Sequence, residues 1–286
     1  MKKADLIRLI FLSAIWGSSF IFMRIVAPVM GPFATAGSRL FLAGLMLHIY
    51  FFFTNYKPEW KKNFKHYLVM GVVNSAIPFT LFAFAASHIP AAYSVILNAT
   101  SPLFGAIFSF LFLKELLSFK KMFGLLLGIA GVTLIVLKKG QQVDLAPLAF
   151  VSMLACLLAA ACYALAAIYM KKFGQNIKPV AMAGASPLLA GLILFPLAIM
   201  YPPEGEITVK IIGALLALAI LCSAIAYLLY YKLLANVGVT KALLVTYLMP
   251  FFGILWAILF LGEELSIPIL VGGGIIILST YIGTKK

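Results

Sequence analysis

The side chains that could do acid–base chemistry are few, and they stand in the wrong places for it. The chain carries eight acids: Asp5, Glu59, Glu115, Asp144, Glu204, Glu206, Glu263 and Glu264. Each falls at the end of an apolar run or between two runs. A carboxylate inside an apolar span is the usual proton relay, and the sequence has none. Hydrolysis or group transfer would need paired acids, a His/Asp cluster or a nucleophile beside a base, and no such grouping occurs. Cys156, Cys162 and Cys222 lie inside apolar runs without CxxC spacing, and His48 and His88 stand alone near run ends. No metal site is predicted from them. No glycine-rich loop carries the Lys-Ser/Thr pair of a phosphate cradle. No ATP site and no other cofactor follow.

The middles of the runs hold uncharged polar and aromatic groups. Trp16, Ser18 and Ser19 share one run, Asn74 lies in a second, and Tyr93 and Asn98 lie in a third. Tyr163, Tyr227, Tyr230, Tyr247 and Trp256 follow in later runs. An amide in hydrocarbon needs a partner, so Asn74 and Asn98 must face protein or water. Bonds between helices and contacts to a ligand explain these groups equally well. Arg39 lies about two turns into its run, roughly 9 Å along a helix axis. It can meet a substrate carboxylate, bind backbone carbonyls at a junction, or reach back to the interface. Glu115 and Glu263 end two runs and serve either as gates or as helix-end caps. Pro102 and Pro250 interrupt two runs, bending each as a pivot or as a fixed kink.

The elements that must position these groups follow from composition. Of 286 residues, 64% are hydrophobic and 10% charged, and the mean hydropathy is +1.11. A soluble surface needs about a quarter charged residues, so the chain reads as an all-α membrane protein. The 22 basic against 8 acidic residues are no nucleic-acid footprint, because the cations lie between apolar segments. Ten spans are predicted at 6–26, 33–53, 66–87, 91–113, 119–137, 146–170, 179–200, 209–234, 239–261 and 266–284. With the N-terminus in the cytoplasm, the inside ends carry 17 cations and the outside ends 5. The positive-inside rule then puts both termini in the cytoplasm. Glycines 124, 128 and 131, and the run 272–274, allow close helix packing, within the chain or between two copies in a homodimer.

An internal repeat appears when the chain is slid by 148 positions without a gap. Pro102 falls on Pro250, Gly105 on Gly253, Glu115 on Glu263 and Ser118 on Ser266. Upstream, Ser75-Ala76-Ile77 falls on Ser223-Ala224-Ile225. Five spans per unit is an odd number, so the second unit must be inverted. The predicted units are residues 1–140 and 141–286.

With the repeat in place, the chain resembles the EamA-type, ten-helix members of the drug/metabolite transporter superfamily. The first helix carries Ala14-Ile15-Trp16-Gly17-Ser18-Ser19-Phe20, similar to the family's WG-x-x-F opening. The second carries Gly37-Ser38-Arg39-Leu40-Phe41-Leu42-Ala43-Gly44, similar to its R-F-x-x-A segment. Both repeats close on Pro-to-Glu stretches, Pro102 to Glu115 and Pro250 to Glu263. The resemblance covers nearly the whole chain. It implies a secondary transporter of small metabolites, often amino acids, exporting or exchanging them through a central cavity between two five-helix halves. It further implies that helices one, three, four, six, eight and nine line the cavity, which assigns Trp16, Ser19, Asn74, Tyr93, Asn98, Tyr163, Tyr227, Tyr230, Tyr247 and Trp256 to the substrate. The place of action would be the cell inner membrane, with lipid around the chain. A lipid-handling protein or integral membrane transferase is the competing reading, and the lack of clustered acids weighs against it.

Overall fold

The computed structural model describes residues 2–116, 119–137, 147–238, 242 and 244–284. Among them the regular structure is helical throughout. In chain order the helices are α1 (Lys3–Phe53), α2 (Trp60–His88), α3 (Ala91–Leu113), α4 (Phe119–Leu137), α5 (Pro147–Phe173), α6 (Pro179–Met200), α7 (Val209–Val237), α8 (Leu244–Leu261) and α9 (Ile267–Thr284). Seven of these (α1, α2, α3, α5, α6, α7 and α8) are long and apolar enough to cross a membrane. A helix is the element that fits this composition, because it satisfies its own backbone where water is absent. The chain is a multi-pass membrane protein. The unit boundary at 140/141, and Lys138, Lys139, Asp144 and Ser118, lie outside the described residues.

α1 spans 51 residues, twice what one crossing needs. It folds back at Gly31, whose φ of 71° and ψ of 167° are non-helical. Pro32 has no N–H to continue the ladder, and the backbone N–H groups of Glu204 and Gly205 donate to the Val29 carbonyl at 3.2 and 3.4 Å. The reversal brings Arg39 against Met23, with Nη1 to Sδ at 3.7 Å. Along a straight helix, 16 residues would separate them by roughly 24 Å.

The second limb of α1 runs antiparallel to α6. A Cβ on Gly37 would meet Leu194, one on Gly44 would meet Leu188, and one on Gly184 would meet Phe51 and Leu47. On the other side of the molecule α4 lies antiparallel to α9. There Gly128 faces Ser279, Gly131 faces Gly272 and Ile276, and Gly272 faces Ile135. Gly131 and Gly272 therefore pack on each other within one chain, while Gly128 also faces Leu103 and Gly273 faces Ile96, both of α3. The first limb of α1 crosses α8, where the Trp256 indole N–H donates to the Ala14 carbonyl at 3.0 Å.

Two helices contain π-helical segments, Gly71–Ala76 in α2 and Ala217–Ile225 in α7. In α2 the segment runs into Pro78, which lacks the N–H that an α-helix would give to the Asn74 carbonyl. Widening the turn accommodates that loss. In α7 the Ser223 hydroxyl donates to the Leu218 carbonyl at 2.9 Å, five residues back.

The two prolines expected inside helices differ. Pro250 lies inside α8. Pro102 does not interrupt a continuous helix: α3 breaks at Ala99 and Thr100 and restarts with Pro102 in its first turn. The Thr100 and Ser101 hydroxyls donate to the Leu97 and Asn98 carbonyls at 2.6 and 2.7 Å, satisfying the broken end. The first turn is the one helical position where a missing N–H costs nothing.

The α1–α6 contact is tight enough to test. A Cβ on Gly44 would sit 2.6 Å from the Leu188 backbone, whereas one on Gly213 meets nothing within 4 Å. Gly44→Ala should lower thermal stability in detergent by about 1–3 kcal/mol, the usual overpacking penalty, while Gly213→Ala should not. Equal melting temperatures for the two variants would contradict the packing.

Candidate functional site

Arg39 is the most deeply buried cation among the described residues, 5% exposed on the second limb of α1. Its Nε donates to Ser223 Oγ at 3.0 Å, and its guanidinium carbon lies 4.3 Å from the centre of the Phe79 ring. Phe79 follows the π segment of α2, and Ser223 belongs to that of α7. The hydroxyls of Tyr163 on α5 and Tyr227 on α7, and the Cys222 thiol, are within its electrostatic reach. Arg39 thus gathers α1, α2, α5 and α7 around one cation.

Aromatic rings extend from this point in two directions. Phe82 stacks on Tyr163 at 6.2 Å and meets Phe20 edge-on at 5.5 Å. Tyr227 stacks on Tyr231 at 6.5 Å, Tyr231 touches Tyr230 at 5.7 Å, and Tyr230 touches Trp16 at 5.3 Å. Phe20, Phe82 and Tyr163 thus form one line of ring contacts, and Tyr227, Tyr231, Tyr230 and Trp16 another, with Tyr163 and Tyr227 as the members near Arg39. Ser19 is on the same limb as Trp16 and spends its hydroxyl on the Trp16 carbonyl at 2.7 Å. Asn74 lies in the α2 π segment beside buried Ser75, whose hydroxyl oxygen is unpartnered.

Other candidates lie apart from this group. Tyr93 is buried in the first turn of α3. Asn98 ends the first half of α3, its Oδ1 buried and without a hydrogen-bond partner. Tyr247 donates toward the Thr280 carbonyl of α9 at 3.4 Å. Trp256 stacks on Phe252 at 6.1 Å and reaches Phe260 at 5.7 Å. His48 and His88 contact the carbonyls four residues earlier, Gly44 and Phe84, at 2.8 Å. Among the described residues no group of three His, Cys, Asp or Glu side chains could hold a metal ion.

The two acids of the repeat hold opposite ends of α3. Glu263 accepts from the Ala91 and Ala92 N–H groups at 2.6 and 3.1 Å. It stands where a helix start has free donors and a partial positive charge. Glu115 follows the other end of α3 and pairs with Lys171 of α5. At 1.5 Å per residue the 23 residues of α3 put the two about 34 Å apart. The Lys171 hydrogen bond holds the Glu115 carboxyl below its ordinary 4.5.

Several partners were not singled out by the sequence reading. Phe79, Met23 and Ser223 complete the Arg39 environment; of these, the Ser75/Ser223 repeat match pointed to Ser223. Asp5, counted as a span-end acid, is buried and accepts from Arg8 at 2.6 Å and Asn236 at 2.8 Å. That cluster ties the start of α1 to the end of α7.

Comparisons with known proteins agree with this architecture. The EamA-like transporter family matches residues 6–137 and 150–284. The uncharacterized transporter YvbV of Bacillus subtilis is 26% identical over all of this chain and 93% of its own. An uncharacterized transporter of Archaeoglobus fulgidus is 28% identical over 95% of this chain and 94% of its own. A solved crystal structure with 16% identity superposes with a TM-score of 0.66, covering 99% of this chain and 97% of that one.

Two outcomes follow from the acids. Glu263→Ala leaves two helix-start donors without an acceptor and should cost about 0.5–2 kcal/mol of thermal stability, the range for a lost cap. A depressed carboxyl makes the Glu115–Lys171 contribution present above 4.5 and lost as pH falls through the folded value. The melting difference between wild type and Glu115→Gln should therefore be small at pH 7 and vanish in acid. A difference that grows on acidification would contradict the pairing.

Proposed function

The chain belongs to the EamA-like transporter family, and from that premise we propose a secondary carrier of small organic metabolites, amino acids or related compounds foremost. It works by alternating access in the cell inner membrane, as exporter or exchanger. The observation that carries this reading is the pair of π segments. Moved by 148 positions, Gly71–Ala76 falls at 219–224, inside Ala217–Ile225. The same backbone irregularity thus stands at one register in two helices, and the most deeply buried cation among the described residues, Arg39, contacts Phe79 just past the first segment and Ser223 within the second.

Other features support two inverted five-helix halves, 1–140 and 141–286. Counting α1 as two limbs and including α4 and α9 gives ten membrane segments. α4 and α9 start 148 positions apart, at Phe119 and Ile267, and pack on each other. Glu115 and Glu263, equivalent in the repeat, stand at opposite ends of α3, as inversion requires. The family match also falls on two stretches that part near residue 140. An even number of crossings keeps both termini in the cytoplasm, in agreement with the cation distribution.

In this reading the rings of Trp16, Tyr230, Tyr227 and Tyr163 face the solute, with Asn74, Asn98, Ser19, Tyr93, Tyr247 and Trp256 lining its route. Pro250 has no N–H to give to the α8 ladder, and so lets α8 bend when the halves rock.

Reconstituted protein should show saturable counterflow of a labelled amino acid or related metabolite. Non-saturating conductance, or turnover of lipid, would overturn the carrier. Side-specific labelling should place single cysteines at 115 and 263 on opposite faces, and labels on one face would refute the inversion. Pro250→Ala should raise thermal stability and slow counterflow several-fold. Unchanged counterflow by the folded variant would remove the pivot.

A further inference from the structure

The ion pairs among the described residues are Arg8–Asp5, Lys62–Glu59 and Lys171–Glu115, and all are at helix ends. Arg39 is in none of them. A guanidinium offers five N–H donors in a planar fork. Here one meets Ser223 and one meets the weak acceptor Sδ of Met23. The Phe79 ring screens one face of the cation without neutralising it. Taking a cation out of water costs several kcal/mol unless an anion compensates it. Among the described residues no acid stands beside buried Arg39, which leaves its charge to be balanced by an anion brought to it.

We propose that the Arg39 guanidinium is the recognition point for a single carboxylate of the transported solute, whose apolar or aromatic body lies against the adjoining rings. The assignment rests on the carrier reading above and names its substrate class. One cation balances one negative charge, which selects monocarboxylates over phosphate dianions and dicarboxylates. The fork geometry matches a carboxylate through two parallel hydrogen bonds. Ser223 anchors Nε and the weak acceptor Met23 Sδ takes one Nη1 proton, which leaves the other Nη protons for the ligand. Phe79 supplies flat apolar surface against it, and nearby Tyr163, stacked on Phe82, continues that surface. No carboxylate of the described chain lies in this group to hold an ammonium. A deaminated acid should therefore bind as well as the corresponding amino acid.

The test uses the purified full-length protein and two readouts, thermal stabilisation by ligand and inhibition of counterflow in proteoliposomes. The probes share one ring: L-phenylalanine, 3-phenylpropanoate, phenylalanine amide, 3-phenylpropanol and phenyl phosphate. The two carboxylates should stabilise the protein and compete, while the other three should not. Arg39→Gln should abolish the stabilisation, and Arg39→Lys should weaken binding roughly 10- to 100-fold, as expected for losing a charge-assisted bond. Equal effects of 3-phenylpropanol and 3-phenylpropanoate would overturn the assignment. So would carboxylate binding that survives in folded Arg39→Gln, or no stabilisation by either carboxylate. If Arg39→Gln does not fold, the wild-type probe series decides alone. Saturable counterflow blind to the carboxylate sinks this assignment and leaves the carrier. Carboxylate-selective binding without counterflow sinks the carrier and leaves the site.

Discussion

A backbone in hydrocarbon must satisfy every N–H and C=O without water, and each irregularity of this chain shows how that demand is met. Where α1 reverses at Gly31, the loop at 204–205 supplies donors to Val29. Where α3 begins, Glu263 accepts from the first free N–H groups. Where α3 breaks, Thr100 and Ser101 turn their hydroxyls onto the carbonyls left behind. Where α2 ends, the Arg24 guanidinium takes the Ala86 carbonyl at 2.6 Å. Polar side chains at these irregularities are therefore engaged by backbone. Arg39 differs from them in kind, since its partners are a hydroxyl, a thioether and a ring.

The halves match in pattern and differ in detail. Ser223 bonds both the Leu218 carbonyl and Arg39, while its repeat mate Ser75 is buried with its hydroxyl oxygen unpartnered. Position 187, the mate of Arg39, is Pro187 inside α6, so the cation has no counterpart. α8 is continuous through Pro250, whereas α3 is broken just before Pro102. These differences place the charge and one broken helix in the first half and leave the second half to answer with tyrosines.

Much of the architecture was legible in the sequence. Apolar runs, turn residues and cation placement located the helices to within a few residues, because long hydrophobic segments between polar breaks leave little choice in lipid. The reversal within α1 was legible too: the spans predicted at 6–26 and 33–53 part where Gly31-Pro32 makes the turn. The break in α3 was hidden. A proline signals that the ladder is interrupted, but whether the helix bends around it or restarts at it depends on the hydroxyls at 100 and 101. The π segments were the hardest, since composition carries no sign of one added residue per turn. Of the site, Arg39, Tyr163, Tyr227, Tyr230 and Trp16 were visible as polar or aromatic groups inside spans. Phe79 and Met23 were not, because nothing in sequence distinguishes a ring beneath a cation from one facing lipid.

Each π segment also sets an angular phase. An α-helix advances about 100° per residue, and a π turn takes up one residue more for the same rise. Were the same residues of Ala217–Ile225 to wind as an ordinary α-helix, α7 would stay helical and lengthen by about one residue's rise. Everything beyond the segment would nonetheless swing by about 100°. Tyr227 would then turn away from Arg39, and an aliphatic neighbour would take its azimuth. The wider turn is a phase-setting device: Tyr227 stays near the guanidinium only while that turn absorbs the extra residue.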